Sequence, residues 1–203
     1  MKSDPTVFVV DDDEAVRKGL QFLIRSVGLN VETFATAAAY LDNLSPSRPG
    51  CLILDVRMPG MSGLDLLAHL SEQGIEMPTI FLTGHGDVPL AVRAVKMGAL
   101  DFLEKPFRHQ ELLDLIQRAI RLDAQRRRES ALRGEVRERI ERLTPREHQV
   151  LDLIVAGEPN KAIAADLDIS EKTVEFHRAN VMKKMGVYSL ADLVRMVLLD
   201  SPS

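Results

Sequence analysis

Asp55 closes the apolar run Cys51-Leu52-Ile53-Leu54 and is followed at once by Val56-Arg57-Met58-Pro59-Gly60. Three further groups stand in comparable settings. The acidic cluster Asp11-Asp12-Asp13 follows Val7-Phe8-Val9-Val10, Thr83 follows Pro78-Thr79-Ile80-Phe81-Leu82, and Lys105-Pro106 follows a short run near residue 102. If the runs are strands of one parallel sheet, their carboxyl ends face a common crevice, where α/β proteins bind ligands. That crevice would hold three carboxylates (Asp11, Asp12, Asp55), a hydroxyl and an ammonium. Closely packed carboxylates raise one another's pKa and need a counter-charge. A hard cation such as Mg²⁺ meets the need through one or two carboxylates, waters and phosphate oxygens. A carboxylate is also a nucleophile toward phosphorus, and the charge on a transferring phosphoryl group needs stabilising partners. Mg²⁺, Lys105 and Thr83 are suited to that role.

The elements that must position these groups are legible in the apolar pattern. Strands are expected at 6–11, 30–35, 50–55, 78–83 and 100–104, with helices near 13–27, 36–44, 63–73 and 87–97 and a fifth from about 108. Val16, Leu20, Leu23, Ile24 and Val27 recur at helical spacing, as do Leu64, Leu67 and Leu70. The unbroken apolar run before Asp55 suits a strand covered on both faces. Strict βα alternation implies a parallel sheet between two helical layers.

Over about its first 120 residues the chain resembles the receiver domain of two-component response regulators, more than half of its length. The resemblance implies a flavodoxin-like fold with a five-stranded parallel sheet in the order 2-1-3-4-5. It implies that Asp11 and Asp12 form the metal pocket, that Asp55 is the phosphoacceptor, and that the Arg57 main-chain carbonyl is a further metal ligand. Thr83 matches the switch hydroxyl, with the small Gly84 next to it. Lys105-Pro106 matches a lysine followed by a cis-proline, and Phe102 the aromatic switch. Phe102 also fits an ordinary core residue of a short strand.

Charge divides the chain into three. Residues 1–116 carry a formal −6, residues 117–143 a formal +4 and residues 144–203 a formal −2. The basic middle suits a linker, a partner surface or a solvated helix face. Helix formers dominate from 108 to about 142 and no proline interrupts them, so a long fifth helix is expected, with Gly134 as its weak point. Leu112, Ile116, Ala119 and Ile120 form one apolar stripe on it, and Leu132, Val136, Ile140 and Leu143 a second. The second stripe is too short to diagnose a coiled coil. The domain reading is 1–122, a helical linker 123–142, and a second, all-α domain 143–203.

That second domain opens with Thr144-Pro145-Arg146-Glu147, a capping box with proline in the first helical turn. Asn160 is the expected cap of a short helix over 161–167, Asp168-Ile169 makes a turn, and Ser170 caps a longer helix ended by Gly186. Short helix, tight turn and longer helix read as a helix-turn-helix, whose second member enters the major groove of DNA. At about 100° per residue, Val174, Val181 and Met185 share one face of it. Lys172, Phe176, Ala179 and Lys183 lie opposite, flanked by Glu175 and Asn180, and form the candidate DNA-contacting set. Phe176 suits a thymine methyl contact and equally a dimer contact or plain exposure. The domain's formal −2 differs from the usual basic footprint. This favours modest monomer affinity and binding as a dimer.

The segments Leu143-Thr-Pro-Arg-Glu147, Asn160-Lys-Ala-Ile-Ala164 and Ser170-Glu-Lys-Thr-Val174-Glu-Phe-His177 are similar to the LuxR-type helix-turn-helix. With the receiver in front, the whole chain resembles the NarL/FixJ family of response regulators. Thr83-Gly-His-Gly-Asp87 with Lys105-Pro-Phe107 is nearest to its nitrogen-fixation branch. The resemblance implies a sensor histidine kinase as phosphoryl donor, Mg²⁺ as cofactor, double-stranded DNA as target, and homodimerisation on phosphorylation through the fourth-helix and fifth-strand face. Leu190, Leu193, Val194 and Val197 match the family's DNA-domain dimer contact and equally fit intradomain core.

Two other functions compete. Aspartate-nucleophile phosphatases resemble one another in a second Asp two residues after the nucleophile, where this chain has Arg57. A receiver driving an RNA- or protein-binding end lacks the order of capped helices seen here. The single Cys51 excludes a disulfide framework, and the five histidines show no zinc spacing. No apolar run approaches the ~18 residues of a membrane span, and a signal-peptide core is absent. The expectation is a cytoplasmic non-enzyme that regulates transcription.

Overall fold

The computed structural model describes residues 4–84 and 88–200. His85, Gly86 and Asp87 of the motif quoted above lie outside the described residues. Strands β1 (Thr6–Val10), β2 (Asn30–Phe34), β3 (Gly50–Asp55), β4 (Thr79–Thr83) and β5 (Asp101–Glu104) alternate with helices α1 (Glu14–Ser26), α2 (Ala37–Asp42), α3 (Gly63–Glu72) and α4 (Val88–Lys96). Helix α5 (His109–Glu141) follows. All strand pairs are parallel, and the sheet order is β2-β1-β3-β4-β5, the flavodoxin-like order expected.

The three central strands are buried at every position. Because side chains alternate across a strand, each strand feeds two cores. Phe8, Val10, Leu52, Leu54 and Phe81 pack with Tyr40 of α2, Leu66 and Leu70 of α3 and Ala94 of α4. Val7, Val9, Cys51, Ile53, Ile80 and Leu82 pack with Leu20 and Ile24 of α1 and with Leu112 and Ile116 of α5. Each fully buried Leu or Ile stabilises the fold by about 1.5–3 kcal/mol relative to exposure. Two cores against one sheet hold the strand ends in register.

The chain divides into two compact units, Met1–Arg126 and Arg127–Ser203. The stretch 123–142, expected as a separate linker, is shared between them. Asp123 is buried, 4 % exposed, and its Oδ2 accepts the Gly50 N–H of β3 at 2.9 Å. Val136 and Ile140 belong to the core of the second unit. Among helical residues Gly134 introduces no break, since α5 runs through it.

The second unit holds α6 (Pro145–Val155), α7 (Asn160–Asp166), α8 (Glu171–Met185) and α9 (Leu190–Asp200). The capping box at Thr144 is formed from both sides: Glu147 N donates to Thr144 Oγ1 at 3.3 Å and Thr144 N to Glu147 Oε2 at 2.8 Å. Asn160 does not cap α7. Pro159 takes the cap position, extended at φ −74° and ψ 158°, and Asn160 becomes the first helical residue. Asp168 adopts a left-handed φ of 52°, a conformation Asp tolerates through local side-chain bonding. Ser170 then caps α8 by accepting from Thr173 N at 3.1 Å.

Candidate functional site

The carboxyl ends of β1, β3, β4 and β5 carry the four groups singled out by sequence. Asp11 and Asp55 are nearly buried, 1 % and 8 % exposed, and both turn to one ammonium. Lys105 Nζ donates to Asp11 Oδ2 and to Asp55 Oδ1, each at 2.7 Å. The other carboxylate oxygens are held by main chain: Asp13 N donates to Asp11 Oδ1 and Arg57 N to Asp55 Oδ2, both at 2.9 Å. Every oxygen of the pair is thereby oriented before any ligand arrives.

Burial pushes the Asp55 carboxyl above its ordinary range. The Lys105 hydrogen bond and charge oppose that rise, the nearby Asp11 adds to it, and the Arg57 amide opposes it. Burial also works against the Lys105 charge, but the hydrogen bonds from Lys105 to Asp11 and Asp55 prevail and hold its pKa above the ordinary value. The ammonium therefore stays charged and supplies the counter-charge that the two carboxylates require.

Thr83 is buried, and its hydroxyl donates to Leu103 O at 3.4 Å. That is a long bond beside the usual 2.7–2.8 Å of an O–H···O pair, so little holds the hydroxyl where it is. Gly84 beside it is exposed. The Lys105–Pro106 peptide is cis, as the resemblance implies. Phe102 is half-buried and packs against the core on the α2–α4 side of the sheet. Arg57 is exposed.

Asp12 and Asp13, the other two residues of the acidic run, stand apart from the pair on Lys105. Asp12 is exposed and does not join Asp11 and Asp55 on Lys105. Asp13 serves α1, its Oδ1 accepting from Ala15 N at 2.8 Å and Val16 N at 3.4 Å. Among the described residues no set of three or more His, Cys, Asp and Glu side chains could hold a metal ion by itself. Two convergent carboxylates with main-chain and solvent oxygens remain a donor set that suits a hard, partly hydrated cation.

Three residues of the site carry no local signal in the sequence. Gly63 opens α3, and a methyl group there would overlap the Asp55 carbonyl oxygen and press on Phe81. Arg17 Nη1 donates to the Asp11 carbonyl at 2.7 Å. Asp123 ties the far end of β3, the strand that ends in Asp55, to α5. The first two surround the acidic pair without belonging to any recognisable spacing.

On the second unit, α8 shows the division read from the wheel. Val174, Val181 and Met185 are fully buried. Lys172, Glu175, Phe176, Ala179 and Lys183 are exposed, Phe176 by 63 %, while Asn180 and Arg178 are half-buried. On α9 the alternatives separate: Leu193 is core, Val197 packs against it, and Leu190 stays exposed. No helix among the described residues is long and apolar enough to cross a membrane.

Known proteins match both regions. The model of the response regulator receiver domain matches residues 7–117, and that of bacterial regulatory proteins of the luxR family matches residues 141–197. The response regulator protein TodT of Pseudomonas putida is 50 % identical over 190 residues, covering 94 % of this chain and 84 % of its own length. The transcriptional regulatory protein FixJ of Azorhizobium caulinodans is 52 % identical over 193 residues, covering 95 % of this chain and 92 % of its own. Among solved structures, the response regulator StyR superimposes with a TM-score of 0.86 at 48 % identity, over 97 % of this chain and 99 % of that one. Full-length FixJ from B. japonicum does so with a TM-score of 0.61 at 44 % identity, over 98 % of each.

Proposed function

Since the chain belongs to the response regulators that join a receiver domain to a LuxR-family DNA-binding domain, we propose that phosphorylation of Asp55 gates its DNA binding. Its family is one of transcription regulators and not an enzyme class. The observation that carries the proposal is the convergence of Asp11 and Asp55 on Lys105, with the loosely held Thr83 hydroxyl at the end of the adjacent strand.

Asp11, Asp55 and the Arg57 carbonyl would hold Mg²⁺, and the family resemblance adds Asp12 to that set. When bound, the ion neutralises charge on the carboxylates and on the incoming phosphoryl oxygens. An Asp55 carboxylate oxygen attacks the phosphorus of a phosphohistidine on the sensor histidine kinase. The O–P bond forms, the P–N bond breaks, and its electron pair stays with the imidazole nitrogen, leaving an acyl phosphate on Asp55. Lys105 turns from the carboxylate to a phosphoryl oxygen. Thr83 gives up its long bond to Leu103 and donates to another, and Phe102 turns inward behind it.

These changes shift a population toward a form that pairs through the α4 and β5 face. A dimer presents two copies of α8, with Lys172, Glu175, Phe176, Ala179, Asn180 and Lys183 toward DNA. Two copies sum the phosphate contacts that one formally acidic domain lacks. A kinase donor and a DNA target place this work in the cytoplasm.

The test is solution mass by light scattering, with and without Mg²⁺ and beryllium fluoride, on wild type and Asp55→Ala. Doubling that needs Mg²⁺, fluoride and Asp55 together supports the switch. An unchanged wild type overturns it.

A further inference from the structure

Helix α8 ends in a way that its own residues do not complete. At its carboxyl end, the left-handed Gly186 (φ 68°) lets Gly186 N–H reach Lys183 O at 3.2 Å and Val187 N–H reach Met182 O at 3.1 Å. The last helical carbonyl, on Met185, goes to a residue 46 positions earlier: Arg139 Nη1 donates to it at 2.7 Å. The guanidinium lies so close to the turn that a Cβ on Gly186 would stand 3.1 Å from Arg139 Nη1. Two more bonds reinforce the same end. Lys184 Nζ donates to Arg142 O at 3.2 Å and pairs with Glu147 Oε2 at 2.6 Å. A cation at a helix carboxyl terminus also complements the helix dipole.

We propose that Arg139, on α5 and outside the helix-turn-helix itself, is a positioning residue for DNA recognition: it fixes the angle at which α8 is presented. The inference rests on the DNA-binding reading above. The amino end of α8 is anchored by Val174, which is fully buried in the core of the unit. The helix has 15 residues, about 22 Å at about 1.5 Å per residue. With one end fixed, a tilt of about 3° displaces the other by about 1 Å, whereas recognition geometry tolerates about 0.5 Å. Met185 lies on the buried face and Phe176 and Lys183 on the open one. Arg139 therefore holds α8 from behind and leaves its contact surface free.

A positioning residue acts on the fit to base edges and leaves the sequence-independent phosphate attraction intact. The experiment uses the full chain with Mg²⁺ and beryllium fluoride. Its probes are a duplex enriched by the wild type from a random pool and a scrambled duplex of equal composition. For Arg139→Ala, affinity for the enriched duplex is expected to fall by about tenfold. Affinity for the scrambled duplex stays within about twofold, so the specificity ratio collapses. Arg139→Lys, which keeps one donor and the charge, recovers most of the ratio. An unchanged ratio in Arg139→Ala overturns the proposal. So does a parallel loss on both duplexes with a lowered unfolding temperature and no rescue by lysine, which would make Arg139 merely structural. Failure of the wild type to enrich any duplex is a different result, and it overturns the DNA-binding reading itself.

Discussion

The acidic site of the first unit and the open face of α8 are built on opposite plans. Lys105 binds Asp11 and Asp55 across 94 and 50 residues of sequence. Each of those groups is held against the others, so none has a meaning alone. The face of α8 draws its six candidate residues from one stretch between Lys172 and Lys183, each projecting from the same rigid rod. The first is a collective object in a poorly solvated crevice, where charges couple strongly. The second is a row of mostly exposed side chains in water, where they couple weakly. Coupling, rather than residue type, separates the acidic site from the open helix face.

Removing one cation from the collective site should therefore have the largest effect. Lys105→Met leaves Asp11 and Asp55 facing each other unpaired. It is expected to destabilise the first unit by about 2 kcal/mol, less than the 3–5 of fully buried pairs, because the lysine side chain keeps 26 % of its exposure. Denaturant midpoints read this, and added Mg²⁺ should stabilise Lys105→Met more than wild type. A double-mutant cycle with Asp11→Asn should be strongly non-additive; additive effects would dissolve the contrast drawn above.

An intermediate effect comes from Glu147, the buried acidic side chain among the described residues of the second unit. It is buried, and its hydrogen bonds to Lys184 and to the Thr144 amide hold its pKa below the ordinary value against the opposing effect of burial. A depressed carboxylate contributes stability above its unfolded pKa, and that stability is lost as pH falls through the lower native value. Glu147→Ala should cost about 1 kcal/mol at neutral pH. Thermal unfolding of the two proteins should converge as the pH drops below about 4. A gap that persists in acid would mean that packing, not charge, is what Glu147 supplies.

The smallest effect on stability belongs to the open face. Phe176→Ala should change the unfolding free energy by no more than about 0.5 kcal/mol. Its affinity for a selected duplex should fall, and the loss should add to that of Lys183→Ala, as befits independent contacts. A clearly destabilised Phe176→Ala protein would place this ring in the packing rather than on the contact surface.

How far the chain could be read without its structure follows the same division. The strands, their order by resemblance, the capping box at Thr144 and the wheel of α8 are all legible. Each rests on residues within one or two turns of each other or on a recognised motif. The residues of the acidic site were named by position, but the oxygen-by-oxygen pairing on Lys105 was not. Asp13, the third residue of the acidic run, caps α1, a role the run itself does not announce. Asn160 looked like a cap because Asn often is one, yet Pro159 already sets the extended entry. Asp123 sat in what read as a linker; burial against Gly50 depends on where β3 lies, 73 residues away.

The sequence by itself determined which segments become helix or strand, which face of each is apolar, and which four loci are the candidates for chemistry. Periodicity, caps and apolar runs act over a few residues, and chain geometry converts them directly into structure. The tertiary structure alone decided the rest. It placed Arg139 on the last carbonyl of α8, left room only for glycine at position 63, buried Leu193 and exposed Leu190 on one helix. Those outcomes turn on ångström-scale distances between segments far apart in the chain. Such distances are set by the packing of whole cores, and no local pattern encodes them.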